Sequence, residues 1–247
     1  MFQGLTFVGT DQENDTLLNS SYTTGEKTAM GYPICKVYFD RKTDLQYKIN
    51  YYQEPVESAE ARAAGEATYP DFTGVTPETI TYSDGRTGAE YSLTGDVYKN
   101  RYSSAGYTWY AGSDASEDVK SATKIIITVD PETGLGNAEV DIYYILDTNV
   151  SFAIEYYNEK VTHTDDPADK YETTAWKKTS MSGVLGATVY TDDPETHAQP
   201  AWLTSDFRID ETGFTRNPEA SAPQYPSVTI GYGLVIKLYY DRNTTTK

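Results

Sequence analysis

The segment YKINYYQ at 47–53 recurs as FAIEYYN at 152–158, 105 positions later. A second pattern, an apolar strand that closes on paired aromatics, occurs three times, as CKVYFDRKT (35–43), EVDIYYILDT (139–148) and IKLYYDRNT (236–244). A third landmark, GLTF, GYTW and GFTR, begins at Gly4, Gly106 and Gly213, with spacings of 102 and 107. Three landmarks at one period make the chain a tandem array, in which each repeat is one supersecondary unit. Registering the copies gives full repeats at 45–148 and 149–247. Residues 1–44 match only the C-terminal half of a repeat. The expectation is that the chain begins inside a longer protein.

The repeated segments read as strands. Alternation puts Tyr47, Ile49 and Tyr51 on one face and Lys48, Asn50 and Tyr52 on the other. Phe152, Ile154 and Tyr156 repeat the inward set. KIIITV at 124–129 is rich in β-branched residues, and VTIGYGLVIKLYY at 228–240 reads as two strands about a glycine turn. ITYSDGRTGAEYSL and SMSGVLGATVYT, at equivalent places, read as hairpins. Helix signals are scarce. Residues 57–67 have good propensity but almost no apolar stripe, and Asp166 with Pro167 makes a short helix start. Each repeat is expected to be a mixed sheet of four or five strands, with a short helix across it. Successive repeats join through about five polar residues, so the array is expected to be semi-rigid.

Hydrophobic residues make up 38% of the chain, and 23 tyrosines outnumber 7 phenylalanines and 3 tryptophans. Small cores built on tyrosine follow, with the hydroxyls at water or backbone partners. A net charge of −17, from 37 acidic and 20 basic residues, argues against nucleic acid and anionic membranes. No apolar run reaches the roughly 18 residues of a membrane span, and Met1–Thr10 does not read as a signal peptide.

Cys35, registered with Val140 and Ile236, reads as a small core hydrophobe. His163 and His197 sit in acidic loops without a nucleophile or an orienting partner, and read as solvated. The clusters Thr164–Asp169 and Asp192–Glu195 match no calcium-loop spacing and read as turns. Lys48 lies on a first strand where a Lys–Asn or Lys–Asp crosslink would fit, but its counterpart is Ala153, so a crosslink is not common to the repeats. Trp109, Tyr110, Trp176 and Trp202 are candidates for a sugar-stacking platform, with core packing as the competing reading. The sequons at Asn14, Asn19, Asn149 and Asn243 are expected by chance. No catalytic, cofactor or metal site emerges, and the ligand-binding residues are unknown.

The Y-x-I-x-Y-Y first strand, the V-x-G-x-x-G-like middle, the G-Y-T landmark and the closing V-x-V-Y-Y strand resemble the MucBP-type mucus-binding repeats of Gram-positive surface proteins. The resemblance covers nearly the whole chain, although insertions at 53–75 and 158–176 depart from it. It implies tandem ubiquitin-like β-grasp modules, mainly β (α+β), arranged as an elongated rod, on an exported, cell-wall-associated protein. The implied role is non-enzymatic. It is adhesion to host glycans, mucin or host proteins, or a stalk presenting a distal adhesive domain. The alternative is a structural subunit of a surface layer or filament, assembled through the incomplete first repeat.

Overall fold

The structure is a computed structural model that describes residues 5–10, 29–30, 37–112, 119–209, 211–221 and 224–243. It is mainly β, with mixed sheets. Strands β1 (Leu5–Thr10) and β2 (Val37–Arg41) form an antiparallel pair. Strands β3 (Leu45–Gln53), β4 (Glu78–Gly85), β6 (Tyr107–Tyr110) and β8 (Ala138–Leu146) build a sheet in the order β4-β3-β8-β6. Beyond β4, β5 (Glu90–Ser92) pairs with β7 (Lys124–Ile126). The second sheet takes β9 (Val150–Asn158), β10 (Lys177–Gly183), β12 (Phe214–Arg216) and β14 (Val235–Arg242) in the order β10-β9-β14-β12. Its short pair is β11 (Thr188–Tyr190) with β13 (Ser227–Thr229). Helix α1 (Val56–Ala63) follows β3, and α2 (Asp96–Lys99) follows β5.

The two sheets repeat rung for rung. The first and last strands of each are parallel neighbours, with Ile49 beside Val140 in one and Ile154 beside Ile236 in the other. The landmark strands pair antiparallel with the closing strands at one register: Leu5 with Arg41, Tyr107 with Leu146, Phe214 with Arg242. The inward set expected from alternation is buried, namely Tyr47, Ile49 and Tyr51, then Phe152, Ile154 and Tyr156. The core tyrosines keep their hydroxyls bonded: Tyr144 donates to the Tyr98 carbonyl at 2.5 Å and Tyr156 to the Phe207 carbonyl at 2.9 Å. Burial holds both hydroxyls above their ordinary pKa. Cys35, Asn14 and Asn19 lie outside the described residues.

The two expected hairpins are corners instead. β4 leans on β3, β5 turns away to pair with β7, and the second sheet does the same with β10 and β11. The cause lies in G-R-T-G-A (85–89) and G-V-L-G-A (183–187). A Cβ on Gly85 would sit 2.6 Å from the Leu45 carbonyl oxygen, and one on Gly183 would sit 2.8 Å from the Trp202 ring. Gly88 and Gly186 then take φ of 70° and 78°, which favours glycine and swings the chain over the core. Matching backbone bonds lock both corners. Gly88 N–H donates to the Ile127 carbonyl, and Gly186 N–H to the Ile230 carbonyl, each at 2.9 Å. KIIITV is correspondingly short as a strand, with Ile125 and Ile127 buried beneath the corner.

Helix α1 does not cross its own sheet. Its Ala59 is fully buried in a cluster with Val184, Trp202 and Ile230, which belong to the second sheet's core. The connections between sheets are three residues long, 42–44 and 147–149, shorter than the five expected. Each is tied into the unit that follows it: the Lys42 carbonyl accepts from Thr87 N–H, and the Asp147 carbonyl from Leu185 N–H.

Candidate functional site

Two places concentrate chemistry: the junction between the sheets, and an open groove on the outer face of the second. Both begin at the glutamate that closes the first strand. Glu54 and Glu159 are equivalent, and each accepts the backbone N–H of the last strand, Leu146 at 2.9 Å and Arg242 at 2.7 Å. Beyond that shared bond the two units diverge.

At Glu54 the segment forms α1. The Glu54 carboxylate is fully buried, accepting from Ser58 Oγ at 2.8 Å and from Arg62 Nε and Nη2 at 2.7 and 2.6 Å. Arg62 also reaches the Leu146 carbonyl at 3.3 Å. The helix carries Glu57 in its first turn and Arg62 in its last, matching its dipole. Its next turn is pinned from the other side, where Trp202 Nε1 donates to Glu60 at 2.9 Å. Val56 lies close enough to Gly186 that a Cβ there would meet it at 3.2 Å. The stripe facing the second core is thus Val56, Ala59 and Ala64, residues small enough to leave almost no hydrophobic signature.

At Glu159 the segment makes no α-helix. Val161, the counterpart of Val56, is 79% exposed. The chain folds back over the sheet through a 3-10 turn, Pro167–Asp169, which Asp166 caps as expected by accepting from Ala168 N–H at 2.9 Å. His163 is not simply solvated. Its Nδ1 faces the Thr164 carbonyl and its Nε2 faces Glu159, both at 2.8 Å. Two acceptors are both satisfied only by the imidazolium, so these bonds, Thr164 first and Glu159 second, raise the His163 pKa. Asp169 binds Lys160 and the Thr164 N–H, which lowers its carboxyl to about 2.

Beneath this segment is a cavity of about 1020 Å³. Tyr157 and Tyr239 stack at 5.1 Å on adjacent parallel strands, and Tyr171 leans onto Tyr239 at 4.7 Å and 55°. Asp241 fixes that wall by accepting from Tyr171 at 2.6 Å, Asn217 at 2.7 Å and Lys170 at 2.8 Å. Burial alone would raise the Asp241 pKa, but these donors outweigh it and lower it. The first unit has the same aromatic trio, with Tyr52 and Tyr143 stacked at 4.9 Å and Phe72 against Tyr143 at 4.9 Å. There the trio is closed, with Phe72 and Tyr143 each 8% exposed.

The remaining candidates are scattered. Trp202 is core, Trp109 packs against the first core with Lys99 over its ring, and Trp176 is exposed beside Tyr156. With Tyr110 half-buried, these four form no common platform. Lys48 is exposed and 4.0 Å from Glu139. His197 stacks on Tyr190 and bonds the buried Asp192. Asp192 faces Arg208, whose side chain is 1% exposed and forks onto Asp206. The second acidic cluster is therefore partly a structural ion-pair network. Among the described residues no group of three or more His, Cys, Asp or Glu is placed to hold a metal ion.

Comparison with known proteins adds little. No known family profile and no curated protein matches the sequence. The chain is similar to a solved structure, the pilus adhesin SpaC from Lactobacillus rhamnosus GG in its open conformation. The identity is 9% over 86% of this chain and 33% of that one, with a TM-score of 0.19. This chain thus spans about a third of that protein's length. A likeness at that score carries no argument.

Proposed function

We propose that the chain is two ubiquitin-like β-grasp modules, with part of a third before them, from the stalk of a Gram-positive cell-surface adhesin. The observation that carries the reading is the parallel pairing of first and last strands in each unit. The chain enters a module at the foot of its first strand and leaves at the head of the adjacent last strand. At ~3.3 Å per residue, entry and exit of a nine-residue pair lie about 30 Å apart, at opposite ends. Modules so built add end to end. The sheet order β4-β3-β8-β6, a central parallel pair flanked on each side by an antiparallel strand, supports the β-grasp reading.

The junction supports stiffness. Three connecting residues and a helix seated in the next module's core leave no free linker. The reading is non-enzymatic, since the most buried charged groups satisfy one another in ion pairs. Backbone ¹⁵N relaxation tests it: both modules should report one anisotropic rotational diffusion tensor. Separate tensors for 45–146 and 150–243 would refute the stiff stalk. An adhesive role is favoured by the groove, in which host glycans or mucin are the expected partners.

A further inference from the structure

We infer that His163 is a pH-sensitive fastener of the groove wall: as an imidazolium it ties the tip of the wall to Glu159, and as a neutral ring it lets the tip go, so that the mouth of the groove widens. This holds whatever the groove accepts. The two equivalent glutamates carry it. Glu54 and Glu159 each accept the backbone N–H of a closing strand, and each also meets a basic side chain from the segment that follows it. For Glu54 that side chain is Arg62, at 2.6 Å, and a guanidinium keeps its charge throughout the range in which proteins fold. For Glu159 it is His163, at 2.8 Å, the side-chain type that ordinarily titrates nearest neutrality. The first module is thus fastened permanently and the second conditionally.

The condition is set by the ring's two nitrogens. Nδ1 faces the Thr164 carbonyl and Nε2 faces Glu159, both at 2.8 Å. A neutral imidazole carries one N–H, so one nitrogen would turn a lone pair toward an oxygen at that distance. Losing the proton therefore breaks one of the two bonds. His197, the other histidine of the chain, is built differently. It stacks on Tyr190, and its Nδ1 meets Asp192, an acceptor that the neutral ring satisfies.

Carboxylates dominate the surroundings of His163. The wall contributes Glu159, Asp165, Asp166, Asp169 and Glu172, the segment after β12 contributes Glu219, and β14 contributes Asp241. Lys160 and Lys170 from the wall and Lys237 and Arg242 from β14 oppose them. The bond to the Thr164 carbonyl, then that to Glu159, raises the His163 pKa. The tie is therefore fully made below about pH 6.5, the ring's ordinary value, and is lost as pH rises through the raised one. The ring governs the tip of the wall rather than its base. At the base, Lys160 N–H donates to the Lys170 carbonyl at 2.9 Å and Glu172 N–H to the Asn158 carbonyl at 3.0 Å, while Asp241 holds Tyr171 and Lys170. Residues 161–168 are exposed and, besides His163, tie back through Thr164 N–H to Asp169 at 3.0 Å. His163, Asp165 and Asp166 border the cavity, so release of the tip widens its mouth.

The test is an NMR titration of the full 247-residue chain from about pH 5 to about pH 9, with His197 as the internal control. Hydrogen exchange of the backbone amides is read at each pH and corrected for the intrinsic rate. His163 should titrate above the ordinary histidine value. Protection of the Thr164 N–H should fall by about threefold or more across the same midpoint, while the Lys160 and Glu172 N–H groups at the base keep theirs. His163→Gln should abolish that pH dependence and leave Thr164 weakly protected throughout. His163→Arg, which copies the cation of the first module, should keep Thr164 strongly protected throughout. Position 163 is exposed, so neither variant disturbs the core. A His163 titration at or below the ordinary value, or Thr164 protection that does not follow it, would overturn the inference. So would an unchanged pH dependence in His163→Gln, which would assign the effect to another group.

Discussion

Glu54→Ala is expected to destabilise the protein by about 3–5 kcal/mol, the cost of breaking a buried ion pair by removing one partner. The Glu54 carboxylate is fully buried and receives four hydrogen bonds. Its loss leaves the Leu146 N–H without its acceptor and the Arg62 guanidinium with only the Leu146 carbonyl, at the point where the first sheet ends and α1 meets the second core. The effect should therefore reach beyond the first module, because Ala59 is held in the second module's core by this network. Glu54→Gln keeps an acceptor for Leu146 and Ser58 but forfeits the charge, and should fall between wild type and alanine. Urea unfolding of the three proteins checks this. A loss under about 1 kcal/mol for the alanine variant would show that the network contributes no more than a surface pair.

Trp202→Ala is expected to cost a further large amount, about 3–5 kcal/mol, as for other large-to-small core changes. The indole lies against Gly183, where no side chain fits, so truncation leaves a cavity that the corner cannot collapse into. It also strands Glu60, to which the indole N–H donates. Trp202→Phe should recover most of the packing and lose only the hydrogen bond, worth about 1 kcal/mol. A thermal scan of both variants separates the two contributions. Equal losses in Phe and Ala would mean that the bond to Glu60, rather than packing, dominates.

How much of this was legible in the sequence depends on what each element is made of. The strands of YKINYYQ and FAIEYYN were readable, because period-two alternation places Ile49 and Ile154 in the core whatever surrounds them. The register of the closing strands followed from their paired aromatics. The junction was not readable. Its buried stripe is mostly alanine, and alanine on a helix looks the same whether it faces water or a neighbouring core. The corners read as hairpins because alternating strands flank a glycine turn in both cases. Only the close approach at Gly85 and Gly183 distinguishes them. Half of the groove was visible, since Tyr157 and Tyr239 belong to the repeated paired aromatics. Tyr171 arrives from an inserted segment without periodicity, so nothing in the sequence joined it to them. The tryptophans drew attention by type, but their environments are unrelated.

The groove and the junction together describe a module pair in which equivalent segments serve different ends. On the proposed stalk reading, one stiffens the array and the other presents a surface. That division depends on the modules standing end to end, so small-angle X-ray scattering of the full chain is the most direct test. A compact protein of 247 residues has a radius of gyration of about 18 Å. The account predicts a value well above that, with the pair-distance profile of a rod. A value near the compact one, with a symmetric single-peaked profile, would contradict it.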